Sequence, residues 1–454
     1  MSNVSVLPID SGRYGSKEVK TIFTEESRLK YMLMVEAAVA NAEASLNLIP
    51  SKAAKEISSK SNLKLVSYKK WKEIEKTTRH ETASLVEALV SIVSEDTKPW
   101  VHYGLTSQDV LDTALSLQLK DYVKLIHTKL KRLILLLGEK AEKYSCLPTV
   151  GRTHGQHASI ISFGQKFAVW ADDYMFHVDR LSEIKPRILM CKTLGVVGSG
   201  SVIGPKALDV MEITASELGL YPVNSATQVV SRENYAEFIW WCALVACTCD
   251  KVATEFRNLS RTEISEFEEE FARDQIGSSA VPSKRNPITC ETVSSLAKLL
   301  RSMPTVALEN IPLWHERDLT NSANERFTIS MSAILLDEMV NILLNVLLKM
   351  VIREDFMKSN IEVTMGQVYS EFVLDALLKK GMSRSDAHRI LREISSKSRL
   401  NGIQFKDALL SDSRTNKLLS ERELDSIFIP EAHIEGSREI IKRTLKRIKE
   451  KFGK

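Results

Sequence analysis

An all-α protein built around long helices is the fold class this sequence predicts, and three observations predict it. Proline is absent between Trp100 and Leu147, between Thr149 and Lys185, between Val223 and Val281, and from Leu313 to Ile429. Within those gaps apolar residues recur at three- and four-residue spacing, which lines them along one face of a helix. Strand signals are scarce; GVVGSGSVIG (195–204) reads either as a short Gly-rich hairpin or as a loop.

The first gap holds DTALSLQLKDYVKLIHTKLKRLILLLGEKAEKY, a helix of over thirty residues and roughly 50 Å at a rise of 1.5 Å per residue. Similar patterns run through GQHASIISFGQKFAVWADDYMFHVDRLSEI, RENYAEFIWWCALVACTCDKVATEFRNLSRTEI, PITCETVSSLAKLLRSM and NERFTISMSAILLDEMVNILLNVLLKMVI. Five long helices with apolar faces predict a central bundle. In the last of them Asp337, Glu338, Asn341, Asn345 and Lys349 break the apolar run at spacings that fit a buried helix with one polar side. Residues 1–105 predict shorter helices broken at Pro50 and Pro99. After about residue 355 short helices return, among them SRSDAHRILREISSKS behind a capping serine. Three segments follow: 1–105, 106–355 and 356–454. Helices this long leave apolar faces that one chain does not cover, so oligomerisation through the central bundle is expected.

The 454 residues suffice for a large core, and 44% apolar with 26% charged residues is ordinary for a soluble protein. A net charge of +4 gives no reason to invoke a nucleic acid. The basic C-terminal stretch SREIIKRTLKRIKEKFGK reads as a solvated amphipathic helix. MSNVSVLPID has neither a basic n-region nor an apolar core, so no signal peptide is expected. The apolar run from Phe238 to Cys249 is too short to span a bilayer, and no membrane partner is expected. Six cysteines without a C-x-x-C pair are expected to be buried free thiols, as a reducing cytoplasm allows.

The chemically unusual stretch is GSSAVPSKRNPITCE (277–291). Asn286-Pro287 reads as an N-cap followed by the first helical position. The positive end of the next helix then falls beside Lys284, Ser278 and Ser279, a pocket suited to a carboxylate or to an anion formed during a reaction. In TVGRTHGQHA, Thr153 and His154 are expected to open a long helix, whose dipole disfavours imidazolium unless a carboxylate such as Glu291 restores proton affinity. The same residues read more plainly as helix-entry histidines bonding local backbone. The His-x-x-His spacing lacks a third ligand nearby, and no metal is expected. KTTRHETASL sets Arg79, His80 and Glu81 in succession. In WVHYGLTSQDVLDT, Thr106 and Ser107 are placed to cap the first long helix. In LWHERDLTNSANERF, Arg317, Ser322 and Arg326 lie near another helix start and suit a phosphate, or form a solvated charged turn.

Together these stretches resemble the fumarase/aspartase superfamily and, within it, the adenylosuccinate lyase family. The resemblance runs along essentially the whole chain: Arg13-Tyr14, RHE at 79–81, GLTSQD at 104–109, GRTHGQHA at 151–158, TQVVSRENYAEF at 227–238, the GSS loop, and HERDLTNSANER at 315–326. It implies an all-α lyase, a homotetramer with active sites drawn from three subunits, that releases fumarate from a succinyl nucleotide without metal or organic cofactor. By resemblance Ser278 is the general base, with Ser279 beside it, and His154 is the general acid, oriented by Glu291. Lys284, Arg285 and Asn286 hold the carboxylate whose charge grows during the reaction. Arg13, Tyr14, Arg317, Ser322 and Arg326 match contacts to phosphate and ribose, with Arg79, His80 and Glu81 nearby. Thr106, Ser107, Thr153 and Gln228 match contacts to the succinyl group and base. The segment EFEEEFARDQIGSS is expected to close as a lid.

This chain departs from the family pattern at Glu81, where Asp is usual, at Val281 for Met, at Ser283 for His, and after GQHA, where SIIS lacks the usual proline. Argininosuccinate lyase or a cycloisomerase-like relative is the enzymatic alternative; a crystallin-like scaffold and a basic helical nucleic-acid binder are the non-enzymatic ones.

Overall fold

The computed structural model describes residues 6–272, 274 and 277–453. Side-chain caps fix several helix starts. Ser16, Thr24 and Ser67 accept from N–H groups of the helices they precede: α1 (Lys17–Ile22), α2 (Glu25–Ser45) and, after α3 (Ser51–Lys60), α4 (Tyr68–Thr78). Next come α5 (Glu81–Val90) and α6 (Ser107–Lys143), which at 37 residues is the longest described helix. After the strands β1 (Pro148–Thr153) and β2 (Gln156–Ser162) follow α7 (Gly164–Ile188), α8 (Ala207–Leu218), α9 (Glu233–Leu259), α10 (Ile288–Glu309) and α11 (Ser322–Lys349). Four of the five long helices thus form where the periodicity places them, and α10 continues through Pro304; the other, α7, begins nine residues after the start of its pattern at Gly155. One reading was too short: α2, in the segment expected to hold only short helices, has 21 residues.

Seven shorter helices complete the chain: α12 (Glu354–Glu362), α13 (Ser370–Lys379), α14 (Arg384–Asn401), α15 (Phe405–Ser411), α16 (Ser413–Asn416), α17 (Glu421–Ile427) and α18 (Glu435–Phe452). Ser383 caps α14 as expected, accepting from the Asp386 N–H. The stretch 195–204 is a loop, with Gly195, Gly198, Gly200 and Gly204 all at positive φ. All six cysteines are free, but Cys146 and Cys247 are exposed rather than buried.

The chain divides into two compact units. The first holds the residues up to Leu130, Phe176–Cys249 and Ser295–Asn341. Its core includes Tyr122, which packs edge-on to Phe238 with ring centroids 5.7 Å apart, and Trp241, whose indole N–H donates to the His177 carbonyl at 3.0 Å. The second holds Lys131–Met175, Asp250–Ser294 and the residues from Ile342 on. Phe163, Phe167, Trp170 and Phe256 form a run of ring contacts there, ending on Phe267 stacked 4.3 Å from Phe256. Val373, Leu377, Ile390, Phe405 and Leu424 form a separate small core among the last helices.

The largest correction lies in the second unit. GRTHGQHA does not open a helix: β1 and β2 pair antiparallel from Thr153–Gln156 to Pro148–Ser162, and helix begins only at Gly164. His154 (φ 54°) and Gly155 (φ 74°) form the two-residue turn, both left-handed, as the right-handed twist of a hairpin favours. His154 therefore does not stand at the N-terminus of a helix.

In the first unit a buried carboxyl has one oxygen without a hydrogen-bond partner. Glu43 is 1% exposed and its Oε1 has no partner, while Glu36, on the same helix, accepts or donates at 2.7 Å to His102 Nδ1. Burial, and then the neighbouring Glu36, push the Glu43 carboxyl up to about 8. The folded chain then holds a proton that the unfolded chain releases, so stability is full below the ordinary carboxylate range and falls as pH rises toward 8. Glu43→Gln removes this dependence. Thermal unfolding of both proteins from about pH 5 to about pH 8 should show the variant gaining on the native chain by up to about 1.4 kcal/mol per pH unit; parallel curves would disprove it.

Candidate active site

A cavity of about 890 Å³ opens in the first unit, lined among others by Arg28, Arg79, His80, Glu81, Ser107, Gln228, Arg232, Arg317, Ser322 and Arg326. The link between α4 and α5 supplies three of these. Arg79 ends α4 in the left-handed conformation, and His80 is the N-cap of α5, its Nδ1 accepting the Ala83 N–H at 3.2 Å. Neutral His80 therefore carries its proton on Nε2, free to donate. Glu81 bridges two guanidiniums, with Oε1 at 3.0 Å from Arg28 Nε and Oε2 at 3.2 Å from Arg326 Nη2. The longer side chain at this position thus has a use: it reaches both.

The remaining cations differ in what balances them. Arg232 is buried against Asp112 at 3.1 Å and Glu325 at 3.5 Å. Burial opposes its charge, but the two carboxylates hold its pKa above the ordinary guanidinium range. Arg317 has only neutral acceptors: Ser107 Oγ at 3.4 Å, Gln228 Oε1 at 2.6 Å and, in the amide orientation that satisfies its neighbours, Gln108 oxygen at 2.7 Å. Burial lowers its pKa. Among the described residues neither Arg317 nor the exposed Arg79 has a carboxylate partner. Two uncompensated guanidiniums facing one cavity make a seat for a polyvalent anion such as a phosphate.

In the second unit the GSS loop is closed at its neck. Asn286 Nδ2 donates to the Gly277 carbonyl at 3.0 Å, and a Cβ at Gly277 would lie 2.2 Å from the Lys284 carbonyl oxygen, so the two backbones touch. Ser278 Oγ accepts the N–H groups of Ala280 at 3.3 Å and Val281 at 3.1 Å. Asn286 is not the N-cap of α10. Glu269 is the cap, accepting from Thr289 N–H at 3.0 Å and Cys290 N–H at 2.7 Å. Arg285 pairs with Glu268 at 3.1 Å. The segment EFEEEFARDQIGSS is anchored at its start: buried Glu266 takes Arg152 through both oxygens (3.1 and 2.6 Å) and Asn360 at 2.7 Å. Arg273, Gln275 and Ile276, further along it, lie outside the described residues. His154 and Glu291 are both exposed, and among the described residues no hydrogen bond joins them.

Comparisons with known proteins bear on what these arrangements serve. The family model described as Lyase matches residues 12–299, and that described as Adenylosuccinate lyase C-terminus matches residues 366–444. The chain is 39% identical over 449 residues to an adenylosuccinate lyase of Methanocaldococcus jannaschii, covering 99% of this chain and 97% of that one. It is 40% identical over 447 residues to one of Pyrococcus abyssi, covering 98% and 99%. The chain belongs to the adenylosuccinate lyase family. A solved structure of 3-carboxy-cis,cis-muconate lactonizing enzyme from Pseudomonas putida is similar throughout, with a TM-score of 0.87 and 27% identity over 98% of this chain and 99% of that one. A fumarate lyase from Mesorhizobium sp. BNC1 follows at 0.86 and 25%, covering 95% and 98%.

Of the residues the family resemblance singles out, the cavity gathers Arg79, His80, Glu81, Ser107, Gln228, Arg317, Ser322 and Arg326. Thr106, Arg13 and Tyr14 are in the same unit but do not line it. Thr153 and His154 sit at the hairpin tip, and Ser278, Ser279, Lys284, Arg285 and Asn286 share the GSS loop. Sequence reasoning missed Arg28, Gln108, Asp112 and Arg232; the partners of Arg28 and Arg232 are distant in sequence, and Arg232 lay unassigned within TQVVSRENYAEF.

It also missed the fully buried ion pair of this lyase, Asp109–Lys192. Asp109 accepts further from the N–H groups of Thr106 at 2.8 Å, Leu194 at 3.1 Å and Gly195 at 3.0 Å. Burial pushes its carboxyl up, while Lys192 and the backbone donors pull it back. With four donors facing it, the carboxylate is the form the site accommodates. Asp109→Asn leaves the ammonium of Lys192 buried and unpaired, and urea unfolding should show a loss of about 3–5 kcal/mol. Adding Lys192→Met should recover part of it; a single variant as stable as the native chain would refute the account.

Proposed function

We propose that the chain eliminates fumarate from adenylosuccinate, giving AMP, and from the related succinyl-carboxamide ribotide SAICAR, giving AICAR. The observation that carries this reading is the pair of uncompensated guanidiniums, Arg79 and Arg317, in one cavity with Ser322 and Arg326. A lyase of succinyl amino acids has no phosphate to seat there. The family's C-terminal match and the near-full-length relatives support the same reading over a cycloisomerase.

In the proposed reaction Ser278 removes the proton beside a succinyl carboxylate, the C–C double bond forms, the C–N bond breaks, and His154 delivers a proton to the departing amine. An ordinary serine hydroxyl is too weak a base. Here the N–H groups of Ala280 and Val281 already point at its oxygen and favour negative charge on it. Lys284 and Asn286 hold the carboxylate on which charge accumulates, and stabilisation there is the largest catalytic contribution, several kcal/mol. Glu291 orients His154. His80, with Nε2–H free, serves the nucleotide end beside Arg79 and Glu81.

We further propose a cytoplasmic homotetramer with active sites shared among three subunits. Trp240 and Leu244 on α9, and Leu299 and Leu308 on α10, are between 42 and 46% exposed, the apolar surface that such an assembly covers. α11 is long and apolar enough to cross a membrane, but 67% of its apolar window is buried in the fold. The division into segments 1–105, 106–355 and 356–454 is one of helix length along the chain, with α6 starting at Ser107 and α11 ending at Lys349, and the two compact units cut across it.

The ultraviolet spectrum of adenylosuccinate mixed with the protein should shift toward AMP, with fumarate released in equal amount; argininosuccinate should be untouched. Ser278→Ala should abolish turnover while substrate still binds, and near-normal turnover would sink the assignment of the base. Arg326→Ala should raise KM by about tenfold or more, the worth of one charge-assisted contact to phosphate.

A further inference from the structure

Helix α11 carries its acidic pair, Asp337 and Glu338, within an otherwise apolar stretch, and both carboxylates face one feature: the turn that precedes α1. Ser16 Oγ donates to Asp337 Oδ2 at 2.6 Å while accepting the Val19 N–H at 3.3 Å. Lys129 Nζ donates to Asp337 Oδ1 at 2.5 Å, and Asn341 Nδ2 to its Oδ2 at 3.1 Å. Glu338 Oε2 accepts the Gly15 N–H at 2.8 Å. Gly15 is at φ 85°, and a Cβ on it would stand 2.5 Å from Ile334 Cγ2, so only glycine lets the chain lie this close to α11. Gly12, at φ 82°, makes the other left-handed bend. Between the two glycines stand Arg13, exposed, and Tyr14, half-buried, with Arg13 N–H returning to the Pro8 carbonyl at 2.9 Å.

The turn has no core of its own, and packing alone does not call for a fully buried Asp337 in this helix. A buried charge adds little net stability, and its use is to fix one arrangement over others. The arrangement fixed here is positional. Ser322, Arg326 and Ser330 of α11 line the cavity. Ile334 and Glu338 continue the same stripe at four-residue spacing, each about 6 Å further along the axis.

We propose that Asp337 and Glu338 are positioning residues for substrate binding, latching the Pro8–Ser16 turn to α11 so that Arg13 and Tyr14 meet a nucleotide phosphate together with Arg326. The latch rests on the reading of Arg13 and Tyr14 as phosphate contacts, and its test separates the two. Asp337 is too deeply buried for a clean variant, so Glu338, half-buried with one contact to the turn, is the residue to change. KM for adenylosuccinate, kcat, and the competitive inhibition constant of AMP are measured for Glu338→Ala, Glu338→Gln, Arg13→Ala and the Glu338→Ala/Arg13→Ala double variant.

Glu338→Ala should raise KM and the AMP constant about 3- to 10-fold, as loss of a charge-assisted hydrogen bond implies, with kcat within about twofold. Glu338→Gln, whose Oε1 accepts the same N–H, should recover most of the loss. In the Arg13→Ala background Glu338→Ala should add nothing. Effects that add in full, or a lowered melting temperature with both constants unchanged, overturn the latch while leaving Arg13 a phosphate contact. If Arg13→Ala itself alters neither constant, the phosphate reading of Arg13 fails and the latch falls with it.

Discussion

The buried carboxylate of Asp109 is the constraint on which the cavity of the first unit depends. It gathers the Lys192 ammonium and three backbone N–H groups at one point, and so ties the first turn of α6 to the chain at 192–195. Both joined segments go on to build the cavity. Ser107 leaves the α6 end and reaches Arg317. Val196, one residue past the tie, offers its carbonyl to Gln228 Nε2 at 2.7 Å, which turns the Gln228 oxygen toward Arg317. The uncompensated cation is therefore held by neutral groups whose own positions trace back to a neutralised ion pair out of contact with solvent. That arrangement keeps positive charge available where an anion binds and cancels it where none does.

The balance of charge around the cavity follows the same logic. Asp112 and Glu325 neutralise Arg232, and Glu81 is shared between Arg28 and Arg326. An arginine that shares one carboxylate with another is held less tightly than one with two carboxylates to itself. On the proposed reading Arg326, 52% exposed at its side chain, is the member that turns to a phosphate, while Arg28, at 25%, stays with Glu81. On the same reading Glu81 acts as a rest for Arg326 rather than as a direct phosphate contact, which a carboxylate would repel.

What was legible in the sequence was what local physics decides. Five long helices could be read because 3.6-residue periodicity persists through proline-free stretches, and Ser383 could be read as a cap because a cap acts within three residues. The hairpin at 148–162 was not legible as such. Ile160 and Ile161 fit the apolar face of a helix extrapolated back from Phe163, and the turn pair His154-Gly155 lacks the Asn or Asp that usually marks a left-handed two-residue turn. Glu269 as the cap of α10 was equally hidden, because the acceptor comes from about twenty residues upstream and a good local candidate, Asn286, stood in the expected place. The ion pairs of Arg28, Arg232 and Lys192 join residues tens to hundreds of positions apart, and nothing in one sequence distinguishes them from solvated charges.

The GSS loop shows why donor capacity in a sequence is not the same as donor availability in a structure. Asn286 donates to Gly277, the α10 N-terminus donates to Glu269, and Ser278 accepts two N–H groups of its own loop. On the proposed mechanism a substrate carboxylate entering here replaces internal acceptors of similar strength, so the exchange contributes little to binding the ground state. The balance changes when charge accumulates on that carboxylate, because a doubly charged acceptor outcompetes both a backbone carbonyl and a singly charged glutamate for the same donors. Interactions that strengthen only as the reaction proceeds raise kcat rather than lower KM. On that mechanism a loop whose donors are satisfied at rest is suited to elimination, because its donors give their largest stabilisation to the carbanion.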